Sequence, residues 1–319
     1  MIKRIFQWTD KDKLCDAAFE GGGVRGIGLV GAVSAFEEAG YKFRNVAGSS
    51  AGAIVASLLA SGYSAREMHE VLSKMNFEQF KQSTSWKAFG TLGALVSATK
   101  NFGMYSSQLF EDWLANLLAA KGVHTFADLP LNLKVTASDV TAQKALVLPD
   151  DLAKFGIDGR NFPVATAVRM SMSIPFFYEP YELKDISGNT HYIVDGGMLC
   201  NYPVWVFDSG KTEDVPVFGF RFIRHPAVPK RADKTGLVTY AKQVITTMIE
   251  AHDDSYQNVI SGDLQRTVYI DTKVDGNVIG ITDFHITQPQ VQLLFENGRS
   301  SGTSFLTNWD FKEWKRKFR

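Results

Sequence analysis

The stretch NVAGSSAGAIVASLLASG, residues 45–62, decides the fold prediction. It passes from a short β-like segment into the corner GSSAG at 48–52 and then into a helix that is apolar on nearly all sides. GSSAG fits G-x-S-x-G, a sharp strand-to-helix turn in which the central serine has a strained backbone and the flanking positions must lack bulk. We therefore predict Ser50 as a nucleophile, flanked by Gly48 and Gly52. A plain tight turn is the alternative explanation of the same residues.

Strand-like and helical segments alternate around this corner. KLCDAAFE at 13–20 precedes the apolar, helix-like VRGIGLVGAVSAFEEAG at 24–40, and Ser64 and Glu67 form a capping box for the helix after the corner. This alternation is typical of a parallel sheet covered by helices on both faces. We predict an α/β fold, a three-layer α/β/α arrangement with a mainly parallel central sheet, in a single domain over residues 1–319.

The rest of the chain continues this pattern. Further helices are predicted around residues 107–122, 163–174, 235–261 and 287–298, and further strands around 131–140, 144–149, 191–195, 215–222 and 266–271. The buried side of the helix at 107–122 is predicted to consist of Leu109, Phe110, Trp113, Leu114 and Leu117. The stretch at 86–105 has no firm period, and we interpret it either as a lid or acyl-chain cleft or as a loop.

Composition excludes several classes of protein. The 319 residues contain 34 Lys and Arg against 34 Asp and Glu, so no basic surface for nucleic acid is expected. Cys15 and Cys200 are too few for a disulfide framework. The sequence has neither a signal peptide nor an apolar run long enough to span a membrane. We expect a cytoplasmic protein, and no His/Asp/Glu spacing predicts a metal site.

A second glycine-rich corner, GGGVRG at 21–26, also lies between a strand and a helix. Gly21, Gly23 and Gly26 fit the dinucleotide-binding pattern G-x-G-x-x-G, but the acidic residue expected at the end of the next strand is absent. An oxyanion hole of bare backbone N–H groups, including Gly22, explains the loop better. Arg25 would add charge or lock the loop, or it forms a surface salt bridge.

A serine nucleophile needs a base, and the histidines are poorly placed for that role. His252 lies within a helical stretch, and His285, after a strand-like run, is the reserve candidate. Asp195 is better placed, because YIVDGG ends an apolar strand with a carboxylate followed by Gly196 and Gly197. Taken alone, Asp195 fits an Asx-type turn better than a catalytic role.

Four motifs in order resemble those of the patatin-like phospholipase family. They are GGGVRG at 21–26, GSSAG at 48–52, AVRMSMSIPFFYEP at 167–180, and DGG at 195–197 followed by NYPV. The resemblance covers roughly residues 14–222, and the segment 223–319 matches less sharply.

The resemblance implies a lipid acyl hydrolase of phospholipase A or lysophospholipase type, with a Ser–Asp dyad, no catalytic histidine, and no metal or cofactor. By position, Ser50 would be the nucleophile and Asp195 the base. Gly22, Gly23 and Arg25 would form the oxyanion loop, with Gly21 and Gly26 setting its geometry, and N–H groups of the stretch Gly21–Gly23 would hold the oxyanion. Glu20 beside the loop is an unexpected residue, for which pairing with Arg25 is one option.

A phospholipid or other acyl-ester substrate would bring the protein to a membrane surface transiently, at the inner face for a cytoplasmic protein. The tail TNWDFKEWKRKFR at 307–319 mixes aromatic and basic residues as interfacial helices do. A helix that packs its aromatics on the domain explains the tail equally well.

Three other functions stay open from sequence. A carboxylesterase or thioesterase could act on soluble esters with the same scaffold. A non-catalytic lipid-binding regulator could retain the pocket, although the intact Ser50 and Asp195 argue against it. A nucleotide-binding protein could use the loop at 21–26. The sequence does not predict the oligomeric state.

Overall fold

The computed structural model describes residues 13–75, 82–83, 102–208, 214–225, 240, 243–249, 262–281, 283 and 285–319. Its strands are β1 Lys13–Phe19, β2 Tyr41–Ser49, β3 Gln82–Ser83, β4 Gly103–Ser106, β5 Asn132–Asp139, β6 Lys144–Leu148, β7 Phe176–Tyr178, β8 Tyr181–Lys184, β9 Thr190–Asp195, β10 Val217–Phe222, β11 Thr267–Ile270, β12 Lys273–Val274 and β13 Asn277–Val278. Its helices are α1 Gly26–Glu38, α2 Ala51–Ala60, α3 Ala65–Leu72, α4 Gln108–Ala120, α5 Val164–Ser171, α6 Gln288–Thr307 and α7 Phe311–Phe318.

The main sheet has the strand order β11-β10-β1-β2-β5-β9-β8, with β6 also paired to β5. The pairs from β11 to β5 are parallel, whereas β9 is antiparallel to β5 and to β8. Helices cover this mostly parallel sheet, and the predicted α/β class is confirmed. Parallel neighbours align their carboxyl ends at one edge, where ligand sites of such sheets lie.

The strand register brings the two predicted catalytic segments together. In β2, Ser49 pairs with Thr136 of β5, and the next residue of β5, Ala137, pairs with Asp195 at the end of β9. The strand β5 therefore holds the serine corner and the carboxylate side by side. Because β9 is antiparallel to β5, its last residue, Asp195, lies opposite Ala137 within β5, one position from the partner of Ser49.

The helix predicted to end near Gly298 runs on to Thr307, so that boundary was wrong. Gly298 faces α1, where a Cβ atom would come 1.8 Å from the carbonyl oxygen of Gly28. On α1 a Cβ at Gly31 would likewise come 1.9 Å from Phe295 O. These glycines let the backbones of α1 and α6 touch, a role that local sequence does not separate from helix termination.

The C-terminal tail packs its aromatic side chains on the domain. Trp314 is buried and donates from its indole N–H to Gly262 O over 2.9 Å. Trp309 packs edge-on against Phe218 of β10 at 5.1 Å between ring centroids. The packed-helix explanation of the tail therefore holds, and these two rings are not available for a membrane surface.

Two further predictions need comment. Leu109 on α4 is exposed, and the buried positions of that helix are Phe110, Leu114 and Leu118. Most of the segment interpreted as a lid or loop, 86–105, lies outside the described residues, as does most of the helix predicted at 235–261, of which 243–249 is helical.

None of the helices in the described part of the chain is long and apolar enough to cross a bilayer.

Candidate active site

Ser50 stands at the corner between β2 and α2 with φ 49° and ψ −120°. This positive φ is costly for a residue with a side chain and persists where the surroundings fix it. A Cβ at Gly48 would come 2.2 Å from Gly52 O, and one at Gly52 would come 2.3 Å from Phe19 O. Both flanks must therefore be glycine because the chain crosses itself and β1 at this point.

The Ser50 hydroxyl donates a 2.8 Å hydrogen bond to Oδ2 of Asp195. The other carboxylate oxygen of Asp195 accepts from the N–H of Gly197 at 2.7 Å. Both members of the pair are buried: Asp195 is 2% exposed and Ser50 is 8% exposed. The structure thus brings the predicted nucleophile and the predicted base into direct contact.

Burial controls the proton affinity of this carboxyl group. Desolvation raises the pKa of Asp195 to about 6, although the hydrogen bonds from Gly197 N and Ser50 Oγ favour the ionised form and act in the opposite direction. A carboxylate with a pKa near 6 is ionised at neutral pH and is a stronger base than an ordinary aspartate.

The glycine loop runs beside this pair. The carbonyl of Gly22 accepts hydrogen bonds from Nε of Arg25 at 3.1 Å and from its backbone N–H at 3.2 Å. Because carbonyl and N–H point in opposite directions across a peptide plane, Arg25 turns the N–H of Gly23 away from itself. Arg25 also stacks over the ring of Phe222 at 4.6 Å, so it locks the loop.

The glycines of the loop are required by close contacts. A Cβ at Gly22 would come 2.2 Å from the Phe222 ring, and Gly23 has φ 55°. Gly26 begins α1 where a Cβ would come 3.2 Å from Ala51 Cβ. The starts of α1 and α2 therefore touch behind the loop, and their positive dipole ends converge on this corner.

The backbone donors of the loop are not all free. Gly21 N donates to Asn201 O at 3.0 Å, so the expectation that this N–H would hold an oxyanion is wrong, and Gly21 instead anchors the loop. In the described part of the chain no hydrogen bond engages the N–H groups of Gly22, Gly23 or Ala51. These three groups, two in the glycine loop and one at the residue after Ser50, are therefore unengaged backbone donors.

A sequence model described as patatin-like phospholipase matches residues 17–208. The protein YqhO of Bacillus subtilis (strain 168) is 40% identical over 299 residues, which cover 93% of this chain and 99% of that protein. The chain belongs to the patatin-like phospholipase family. This membership identifies it as a lipid acyl hydrolase in general terms.

A more distant relative and two solved structures are also similar to this chain. A cGAMP-activated phospholipase of Escherichia coli (strain TW11681) is 26% identical over 217 residues, 62% of this chain and 56% of that protein. The structure of VipD from Legionella pneumophila aligns with a TM-score of 0.52 at 16% identity, over 94% of this chain and 67% of VipD. The structure of full-length ExoU from Pseudomonas aeruginosa aligns with a TM-score of 0.51 at 18% identity, over 93% of this chain and 52% of ExoU. These two structures establish the shared fold.

Two contacts of this patatin-like site were not predicted from sequence. Ser171 Oγ accepts from the N–H of Ser50 at 2.8 Å and so helps to hold the strained corner. The backbone carbonyl oxygen of Asn201 accepts the hydrogen bond from Gly21 N, and the side-chain Nδ2 of Asn201 donates to Gly21 O at 3.4 Å. Ser171 lies in the AVRMSMSIP motif and Asn201 in NYPV. Both motifs were recognisable in the sequence, but the sequence did not indicate a role for either residue.

The remaining candidates have other surroundings. Glu20 accepts from Nε of Arg221 at 3.2 Å and from Phe222 N at 2.6 Å, both on β10. His285, the reserve base, is an exposed residue on the segment before α6 and lines the same cavity as Gly23 and Ala51, whereas His252 lies outside the described residues. Among the described residues no cluster of three or more His, Cys, Asp or Glu side chains could hold a metal ion.

The raised pKa of Asp195 predicts an effect on stability. The folded-state pKa of about 6 lies above the unfolded value of about 3.9, so the contribution of Asp195 to stability is present below pH 4 and is lost as the pH rises through 6. We expect Asp195→Asn to raise the free energy of unfolding by about 3 kcal/mol at pH 8 and to change it little at pH 4. Urea unfolding at both pH values measures this; equal effects at both would contradict it.

Proposed function

We propose that this protein is a serine hydrolase that cleaves fatty-acyl esters of phospholipids, as a phospholipase A or a lysophospholipase, with Ser50 as nucleophile and Asp195 as base. The observation that carries the proposal is the 2.8 Å hydrogen bond from the strained Ser50 to a buried carboxylate whose pKa is raised to about 6. Family membership supports the ester-hydrolase class, and the relative described as a phospholipase supports the substrate class.

In the first half-reaction the Ser50 oxygen attacks the ester carbonyl carbon while its proton passes to Asp195 Oδ2. The electron pair of the carbonyl double bond moves to the carbonyl oxygen, and the N–H groups of Gly22, Gly23 and Ala51 stabilise the resulting oxyanion. When the tetrahedral intermediate collapses, the bond to the alcohol oxygen breaks. That oxygen takes the proton from Asp195, and the acyl group remains on Ser50.

The second half-reaction uses the same groups. Water attacks the acyl-enzyme carbonyl as Asp195 accepts one of its protons, and the second tetrahedral intermediate forms at the same donors. Collapse then breaks the bond between the acyl carbon and the Ser50 oxygen, which recovers its proton from Asp195. The products are the fatty acid and the free enzyme, and no external oxidant or cofactor is required.

The lipid substrate implies a transient membrane surface as partner, and we propose that the enzyme is cytoplasmic and meets the inner face of the membrane. Trp309 and Trp314 are packed into the domain. We therefore expect the exposed cations of α7, such as Lys312 and Arg316, to contact anionic headgroups.

The pH dependence of activity tests the proposed base. We expect kcat/KM for fatty-acid release from mixed phospholipid vesicles to be half-maximal near pH 6. Below pH 6 it should fall tenfold for each pH unit, because one carboxylate must be ionised. Rates are measured from pH 4 to 9 on the vesicles and on a soluble butyrate ester. If Asp195 is the base for both substrates, both pH profiles fall below pH 6 in the same way. Activity that persists at pH 4 would contradict the proposal, and activity restricted to the soluble ester would favour a carboxylesterase.

A further inference from the structure

The strand that ends in Asp195 is joined to the main sheet by a short ladder. Three residue pairs connect β9 with β5, namely Asp195 with Ala137, Val194 with Ser138 and Ile193 with Asp139. In the described part of the chain β8 is the edge strand of this sheet and pairs with β9 alone. The hairpin β8–β9 therefore has its sheet pairing to the rest of the domain through these three residues.

The position of β9 along β5 decides where the Asp195 carboxylate points. Successive side chains of a strand lie on opposite faces, so a slip of one residue would turn Asp195 to the other face of the sheet. The 2.8 Å hydrogen bond from Ser50 to Asp195 would then be lost. Contacts that hold the register of β9 outside the short ladder therefore matter for the catalytic geometry.

Such contacts meet at Asp139, the last residue of β5, which is 1% exposed. Its Oδ2 lies 2.7 Å from Nδ1 of His191 on β9. Its Oδ1 accepts hydrogen bonds from the backbone N–H groups of Thr141 and Ala142 at 3.0 and 2.9 Å. One buried carboxylate thus joins the turn after β5 to the strand that carries Asp195.

The turn after β5 also binds β9 through the backbone. The N–H of Val140 donates to the carbonyl oxygen of Tyr192 at 3.1 Å, and the N–H of Tyr192 donates to Oγ1 of Thr141 at 3.0 Å. Tyr192 is the neighbour of His191 in the strand. Together with the contact between His191 and Asp139, these hydrogen bonds extend the attachment of β9 beyond its three paired residues.

We propose that the contact between His191 and Asp139 locks the register of β9 on β5, and that His191 is a positioning residue for Asp195. This inference rests on the proposed hydrolase function and adds to it how the base is held within reach of Ser50. His191 lies four residues before Asp195 and acts through the strand. It takes no part in the proton transfers.

The surroundings of His191 favour its protonated form. Besides Asp139 on β5, Asp185 lies in the turn before β9, with its Oδ2 3.6 Å from Nε2 of His191. The uncharged neighbours are Leu183, which is opposite His191 on β8, and the ring of Phe155 at 5.2 Å between ring centroids. Two carboxylates therefore flank the imidazole.

These carboxylates make the register lock sensitive to pH. The hydrogen bond with Asp139 is the main cause that raises the pKa of His191 above its usual 6.5, and the charges of Asp139 and Asp185 add to it, whereas partial burial opposes it. Lys144, the partner of Asp139 on β6, is exposed. A group whose pKa rises on folding contributes stability that is lost as the pH rises through the folded-state pKa. The lock is therefore strongest below that pH and weaker above it, where a neutral imidazole can still donate from Nδ1.

Two substitutions of His191 separate the hydrogen bond from the charge. His191→Asn places an uncharged amide donor near the position of Nδ1, and His191→Ala removes the donor. The matched control is His225→Ala, because His225 pairs with Asp271 at 2.6 Å by the same chemistry but follows β10. For each variant, kcat and KM for fatty-acid release from mixed phospholipid vesicles are measured from pH 6 to 9, with folding checked by circular dichroism.

We expect His191→Ala to lower kcat at least tenfold at pH 7 with KM within twofold of wild type. His191→Asn should keep kcat within about threefold, and His225→Ala within twofold. A kcat of His191→Ala within twofold of wild type would overturn the inference.

The pH profile provides a second readout, which remains decisive if His191→Ala does not fold. Between pH 7 and 9 the wild-type kcat should decrease at least twofold, whereas kcat of His191→Asn should stay constant because its amide does not titrate. The same alkaline profile in both proteins would also overturn the inference.

Hydrogen exchange separates this inference from the hydrolase proposal, because it requires no activity. Exchange of the amides of residues 190–195 is compared between wild type and His191→Ala at pH 7, with β1 as the internal control. We expect exchange at least fivefold faster in β9 and unchanged in β1. If the wild type hydrolyses no ester but exchange in β9 rises, the hydrolase proposal fails and the register lock stands. If hydrolysis depends on Ser50 but exchange in β9 is unchanged, the register lock fails and the hydrolase function stands.

Discussion

Replacing Ser50 by Ala is expected to lower kcat for fatty-acid release by on the order of 10⁴-fold or more, because the acyl-enzyme can no longer form. Asp195→Asn is expected to cost about 10²–10⁴-fold, since the hydrogen bond from Ser50 can persist but proton transfer cannot. Both variants are predicted to leave fold and lipid binding in place. The measurement is fatty-acid release from mixed phospholipid vesicles, with folding checked by circular dichroism.

The control for this pair is Asp112→Asn, an exposed carboxylate on α4, which is expected to retain the wild-type rate within twofold. His285→Ala tests the reserve base. If His285→Ala abolished activity while Asp195→Asn kept it, the dyad would be wrong and a Ser–His hydrolase would replace it. If the wild-type protein cleaved a soluble ester but released no fatty acid from any vesicle, it would be assigned as a carboxylesterase.

What the sequence could reveal at this site was its local geometry. The corner at Ser50 was predictable because two glycines within four residues solve a steric problem that is visible in the sequence itself. Asp195 was weaker on its own and became a good candidate only through its order relative to the other motifs. In the structure, the register of β5 explains why that order matters, because Thr136 and Ala137 pair with the ends of β2 and β9.

The parts that were missed depend on contacts between distant segments. Gly21 meets Asn201 across 180 positions, and Ser50 meets Ser171 across 121. No local pattern encodes such pairings. The error at Gly298 has the same origin, since a glycine that permits contact between α1 and α6 looks in sequence like a glycine that ends a helix. Local chemistry was predictable, and its long-range support was not.

Breaking the buried ion pair between Glu20 and Arg221 is expected to have the largest single effect on stability near the loop. Their side chains are only 5% and 4% exposed, and Arg221 also lies 5.2 Å from the centroid of the Tyr202 ring. Glu20 directly precedes the glycine loop, and its second oxygen accepts from Phe222 N. Removing the guanidinium would take this cation away from a buried carboxylate.

We therefore expect Arg221→Met to lower the free energy of unfolding by about 3–5 kcal/mol, since breaking one side of a buried pair costs far more than the pair itself contributes. The double variant Glu20→Gln with Arg221→Met should lose clearly less, because the charge is then removed together with its partner. Because the loop begins at residue 21, the single variant should also lower kcat more than it raises KM.

Urea unfolding at pH 7 measures both effects on stability, and Arg299→Met provides the matched control. Arg299 pairs with Glu38 at 2.9 Å, but these side chains are 47% and 53% exposed, so this loss is expected to be below about 1 kcal/mol. The two pairs have the same chemistry and differ in burial. If Arg221→Met cost no more than Arg299→Met, burial of the Glu20 pair would not support the loop, and Arg25 together with the Gly21–Asn201 hydrogen bonds would account for its geometry.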